Sequence, residues 1–208
     1  MQACCSEAHP IVPSGSASAP FELRPIAPDH PERPVVEAFV AERFRIEYGA
    51  ELYHFMPMLL ALYDAGGRLV GAAGYRLAGD EALYLEQYLD SPIEITIQRE
   101  CGLLLPRSAI VEVGNLGAIT PGGARHLIRE VTDYLYDLGQ TWVSFTATRT
   151  LINAFRRLGL RPLYLAPADP ARLGHEADHW GSYYEQGPKV VAGPIAVGYH
   201  TLHRDATS

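Results

Sequence analysis

The sequence predicts a mixed α/β fold, a central sheet flanked by helices on both faces. Three observations carry it. Stretches with helical periodicity alternate with short apolar runs of strand length. Two of those runs flank Asp64-Ala65-Gly66-Gly67, a hairpin signal that calls for an antiparallel pair. The second half reads strand, helix, strand, helix, strand, an order that lays helices on sheet faces.

The elements follow in chain order. Residues 1–20, rich in Ser, Ala, Gly and Pro, read as a disordered leader to one domain over 21–208. "FELRPIAP" alternates as a first strand with Phe21, Leu23 and Pro25 on one face. From Pro31 to about Tyr48, Val35, Val36, Phe39, Val40 and Phe44 form a helical stripe that Gly49 can cap. The hairpin "MPMLLALYDAGGRLVGAAGYRLAG" comes next, then "ALYLEQYL" as a further strand. "SPIEITIQRECG" opens with Ser91 and Pro92, as helices do. "AIVEVGNLGAI" is a strand, and Gly123 to Leu138 is a helix with Leu127, Ile128, Val131, Leu135 and Leu138 on one face. "TWVSFTAT" is a strand, Thr148 or Thr150 caps the helix "LINAFRRLG", and "RPLYLAP" is a strand. "VVAGPIAVGYHTL" supplies a last strand or hairpin.

Composition narrows the function classes. The chain has 208 residues, 48% hydrophobic and 20% charged, enough for a sizeable core. A formal charge of −7 lacks the basic footprint of a general nucleic-acid binder. Three cysteines, Cys4, Cys5 and Cys101, make no disulfide framework, so a cytoplasmic setting is expected. The first twenty residues lack the basic start and apolar run of a secretory signal, and no stretch is apolar for the length of a membrane span. The eight histidines form no compact ligand set; His175 and His179 are four apart but lack an evident third ligand, and no metal is expected.

Chemistry concentrates around residues 112–125. Pro121-Gly122-Gly123 lies between a strand and a helix, where unpaired N–H groups and the helix dipole favour an anion. Arg125 adds charge. The alternative is a tight turn that needs glycine for geometry alone. Glu86 and Glu112 each sit among large apolar residues, which would raise a carboxyl pKa and suit a base toward an amine. The alternative for each is a solvated face or a structural ion pair. Asn115 either orients substrate or repairs a strand distortion. Arg149 binds phosphate or substrate, or simply opens a surface helix. Trp180, Tyr183 and Tyr184 either roof a pocket, with a tyrosine as acid, or pack on the sheet.

The succession of strand, Gly turn, helix, strand, "NAFRRLG" helix and strand resembles the N-acetyltransferase-like (GNAT) superfamily. Its turn reads Gln/Arg-x-x-Gly-x-Gly/Ala. Gly122-Gly123-Ala124 matches the Gly-x-Ala portion, and Ile119 stands in place of the Gln or Arg. Many members carry a tyrosine acid where this chain has Phe155.

A closer likeness covers about Arg43 to Tyr184. "HFMPMLLALYDAGGRLVGAAGYR", "LYLEQYLDSPIE", "VEVGNLGAI", "LAPADPARL" and "WGSYY" resemble, in that order, the thermostable haemolysin family. That resemblance implies a GNAT-like fold related to acyl-homoserine-lactone synthases. It also implies acyl transfer from coenzyme A or a phosphopantetheine-linked acyl carrier protein to an amine-bearing small molecule. Glu112 matches by position an acidic residue on the strand before the cofactor turn, and Arg43 loosely echoes an early Arg-x-x-x-Phe segment. The expected site is then Glu112 and Glu86 for proton chemistry. Gly117, Ile119, Gly122, Gly123, Ala124 and Arg125 would hold the cofactor. Arg43, Asn115, Arg149, Trp180, Tyr183 and Tyr184 would line the acceptor, with main-chain N–H groups at Asn115 to Gly117 polarising the thioester. Two rivals remain: a lytic protein, as the family name suggests, and a non-catalytic thioester sensor, as Phe155 suggests. The oligomeric state is left open, a homodimer among the options.

Overall fold

The computed structural model describes residues 21–204; the expected leader lies outside them. Seven strands form one mixed sheet in the order β1-β2-β3-β4-β5-β7-β6. These are β1 (Phe21–Ile26), β2 (Met58–Asp64), β3 (Leu69–Leu77), β4 (Ile110–Ala118), β5 (Trp142–Ala147), β6 (Leu163–Pro167) and β7 (Lys189–Pro194). Only β4 and β5 pair in parallel; every other neighbour is antiparallel. The helices are α1 (Arg33–Tyr48), α2 (Ile93–Cys101), α3 (Pro121–Asp137), α4 (Arg149–Arg157) and α5 (Ile195–His203). The mixed GNAT-like sheet with helices on both faces is as the sequence predicts.

Strand alternation divides the core. Val111, Val113, Phe145 and Val191 point to the face covered by α3, α4 and α5. Ile110, Trp142, Val190 and Ala192 point to the other face, against Ile93 and Ile97 of α2. On that same face Val36, Val40 and Phe44 of α1 bury against β2 and β3, while Val35 of the expected stripe faces solvent. The β2–β3 turn closes on Asp64 Oδ1, which accepts from the N–H groups of Gly66 and Arg68, each at 2.9 Å.

Three local expectations are corrected. "ALYLEQYL" is not a strand: Tyr84–Tyr88 form a 3-10 turn, held by carboxylates that reach main-chain N–H groups. The last apolar segment is half strand and half helix, because Pro194 breaks the ladder and starts α5. Leu138 is exposed at the C-cap of α3, one residue past the helix and three past Leu135, the last buried residue of the stripe.

Candidate active site

The site grows from a failure of pairing. Parallel register between β4 and β5 runs from Ile110↔Trp142 to Val113↔Phe145 and stops there, while β4 continues to Ala118 against β3. β4 is pushed off course by a bulge: Ala72 pairs with Gly117 and Gly74 with Gly114, leaving Asn115 and Leu116 opposite Ala73 alone. Asn115 is the positive-φ non-glycine residue among those described, at 52°. Its Oδ1 accepts from the N–H of Met56 at 2.8 Å, tying the bulge to the segment before β2. Of the two roles the sequence allowed Asn115, its Oδ1 serves the strand distortion, and the residue also lines the cavity at this gap.

A cavity of about 1100 Å³ opens at this gap. On the α3 side it is lined by Ala124, Ile128, Val131 and Leu135, with Phe145, Leu151 and Phe155 opposite. On the α1 side it is lined by Arg43, Tyr48, Arg76, Tyr84, Glu112 and Trp180. Because those two sets cover opposite sheet faces, the space passes through the sheet where β4 and β5 part.

Glu112 stands on β4 at the α1 side and is 3% exposed. Its carboxylate accepts from Tyr84 N–H at 2.7 Å and Leu85 N–H at 2.9 Å. Burial pushes its pKa up to about 7, against the pull of those two donors and of Arg76. A carboxyl group poised there exchanges protons near neutral pH.

Glu86 is corrected. It lies in the 3-10 turn and does not line the cavity. Both its oxygens are taken: Arg107 grips them at 2.6 and 2.7 Å, and Leu83 and Ile93 N–H groups donate at 2.9 and 2.8 Å. Burial would raise its pKa, but Arg107 and the main-chain donors outweigh that and hold it below the ordinary carboxylate range. It is a structural clamp.

Around the glycine turn, Thr120 caps α3, and its Oγ1 accepts from Gly123 N–H at 3.0 Å. Ala124 N–H goes to Thr120 O and Ile119 N–H to Val70 O. The broad row of free amides expected there therefore narrows. Gly122 N–H makes no protein hydrogen bond among the described residues, and the exposed Arg125 makes no ion pair there. Neither Gly122 nor Gly123 has a positive φ, and a Cβ on Gly122 would meet only Thr120 Oγ1 at 3.9 Å. Turn geometry does not explain Gly122; room above it remains.

Gly117 has a different reason. A Cβ there would stand 3.0 Å from Cβ of Arg43, so the α1 arginine crosses β4 only because the side chain is missing. Trp180 and Tyr183 line the cavity, Tyr183 almost fully buried with its hydroxyl pKa pushed up by burial. Tyr184 is corrected to a support outside the lining; its hydroxyl pairs with that of Tyr88 at 2.6 Å. Arg149 is also corrected: it is exposed at the first turn of α4, outside the cavity, where Thr148 provides the cap. Phe155 packs on Phe145, ring centroids 5.0 Å apart.

Arg76, Tyr48 and Tyr84 line the cavity and were not singled out from the sequence. A signal existed for Arg76: a lone cation inside the apolar strand run "AAGYRL". Among the described residues no group of three or more His, Cys, Asp or Glu is placed to hold a metal, and no helix is long and apolar enough to cross a membrane.

Solved structures share this architecture. BjaI, a CoA-dependent acyl-homoserine lactone synthase solved with SAM and isopentyl-CoA, is 16% identical, with 89% of each chain covered and a TM-score of 0.58. FeeM, an N-acyl amino acid synthase from uncultured soil microbes, is 17% identical over 88% of this chain and 94% of that one, at a TM-score of 0.56. The acyl-homoserine lactone synthase LasI is 8% identical over 84% and 90%, at 0.56. The fold is therefore the GNAT-like one that such synthases use. The thermostable hemolysin family matches residues 26–199, and the chain belongs to that family. No curated protein matches the sequence.

Proposed function

We propose that the protein is an N-acyltransferase, moving an acyl group from a coenzyme A or acyl-carrier-protein thioester to an amine-bearing small molecule. The observation that carries this reading is the cavity crossing the sheet where β4 leaves β5, with an anion-ready helix start on one side and buried Glu112 on the other. The similarity in fold to BjaI and FeeM supports it.

The donor's phosphate lies at Gly122 N–H and Arg125, and its arm enters between β4 and β5. Main-chain groups of β4 beyond Val113 have no β5 partner and face the thioester carbonyl. The neutral amine attacks that carbon directly; its nitrogen forms the new C–N bond as the C–S bond breaks. The electron pair leaves on sulfur. Glu112 accepts the proton that the amine sheds, and the thiolate is protonated from elsewhere, since Phe155 has no proton to give.

Phe155 also favours a second reading, a binding protein that holds the thioester without turning it over. Incubating the purified chain with acyl-CoA or acyl carrier protein and a pool of amines separates the two. Free thiol released in step with an N-acylated product supports transfer. Saturable thioester binding with no thiol release points to the sensor, and absence of both removes the site reading altogether.

A further inference from the structure

Charge is unevenly placed along this chain. It carries 24 acidic residues and a net charge of −7, yet from Leu138 to Ala168 it has four arginines and no acid. The fold gathers them with two more. Arg149, Arg156 and Arg157 lie on α4 and Arg161 in the turn after it, while Arg125 stands in the first turns of α3 and Arg204 follows α5. These three helices cover one sheet face, and all six arginines are exposed. Arg204 donates to Thr201 Oγ1 at 3.4 Å; the other five have no ion pair and no side-chain hydrogen bond among the described residues.

The cations sit where the cavity opens. Arg125, Arg157, Arg161 and Arg204 line it from this side, whereas the acids that line it, Glu47, Glu51, Glu112 and Glu176, belong to the α1 side. α4 is divided lengthwise: at about 100° per residue, Arg149, Asn153 and Arg156 share its outer side, while Leu151, Phe155 and Leu158 turn to the cavity. Exposed apolar groups accompany the arginines. Val197 of α5 lines the same mouth and is 59% exposed. Tyr164 pairs in register with Val191 and so leaves the sheet on this face; it is 48% exposed, with Lys189 Nζ 5.3 Å from its ring centre.

We infer that this face docks the protein on an anionic phospholipid surface, with the α3–α4 mouth of the cavity turned toward the bilayer. The arginines and Lys189 meet lipid phosphates, Tyr164 and Val197 enter the headgroup region, and the acidic α1 side points to water. An acidic protein partner would answer the arginines alone. The exposed tyrosine and valine beside an apolar mouth fit lipid. Docking of this kind lies on the surface and needs no spanning helix; it does not depend on acyl transfer.

The test is co-sedimentation of the purified full chain with vesicles of phosphatidylcholine alone, or of phosphatidylcholine mixed with phosphatidylglycerol. The mixed vesicles should bind at least ~10-fold more tightly, and high salt should release the protein. R149E/R156E, on the outer side of α4 and away from the cavity lining, should lower that affinity by at least ~10-fold with circular dichroism unchanged. E100K adds positive charge on α2, across the sheet, and should bind as the parent does. Equal binding of the parent to both vesicles overturns the inference, a comparison that stands even if R149E/R156E misfolds. Full affinity in a folded R149E/R156E overturns it as well. Capture of an acyl carrier protein with no vesicle binding overturns it in favour of a protein partner. No turnover is read, so failure of the transfer reading leaves each outcome unaffected.

Discussion

Asn115 Oδ1 accepts a hydrogen bond from the main-chain N–H of Met56, 59 residues away in sequence, at 2.8 Å. That contact fixes the bulge that turns β4 away from β5. Asn115→Ala loses the bond, strands a buried amide and places a Cβ-bearing residue without a local polar group at φ 52°. The expected loss is about 2–3 kcal/mol in urea unfolding. Asn115→Gly relieves the backbone and should lose less. Equal stability of both variants with the parent would show that the bulge holds without its clip.

With Glu112 as the proposed base, activity is expected to follow pH. Its folded-state pKa of about 7 stands above the ordinary 4.5. Turnover by its ionised form should rise with pH through about 7 and level off. Stability runs the other way: between 4.5 and 7 the folded chain holds a proton that the unfolded chain has released. This group's contribution is therefore complete below 4.5 and fades as pH rises through 7. Glu112→Gln should cut turnover ~100-fold or more and flatten the rate profile, with donor affinity little changed. Unaltered turnover would remove Glu112 from the mechanism.

The Glu86–Arg107 clamp should matter for folding and not for chemistry. Glu86→Gln weakens a bidentate ion pair and two main-chain bonds, costing about 1–2 kcal/mol, kept small by the partial exposure of both partners. Since its carboxyl pKa is lowered on folding, the contribution is present above the ordinary 4.5 and disappears as pH falls through the folded value. Denaturant midpoints at pH 7 and pH 3 measure this. A kcat loss beyond about tenfold in a folded variant would return Glu86 to the site.

Gly122 offers a clean separation of binding from stability. Gly122→Ala meets only open space and restricts the unfolded chain, so stability should hold or rise by about 0.5 kcal/mol. Gly122→Val blocks the approach to its N–H and should raise the donor KM ~10-fold. Unchanged donor affinity in the folded Val variant would place the phosphate elsewhere.

The sequence by itself determined the kinds of element and their faces. Periodicity, the Asp64–Gly67 turn, the Thr148 cap and the glycine stops are local, and each carries its own physical signature. Glu112 is marked as a candidate by its apolar flanks, with a solvated face left as the alternative, and its burial is a finding of the structure. Tertiary structure decided the rest. "ALYLEQYL" has the composition of a strand, but Glu112 and Glu86 capture its main-chain N–H groups and wind it into a 3-10 turn. Glu86 and Glu112 look alike along the chain; only their surroundings, Arg107 in one case and the cavity in the other, separate clamp from candidate base. Arg76 stands beside Glu112 only through register, because what faces a strand residue is chosen by a neighbour distant in sequence.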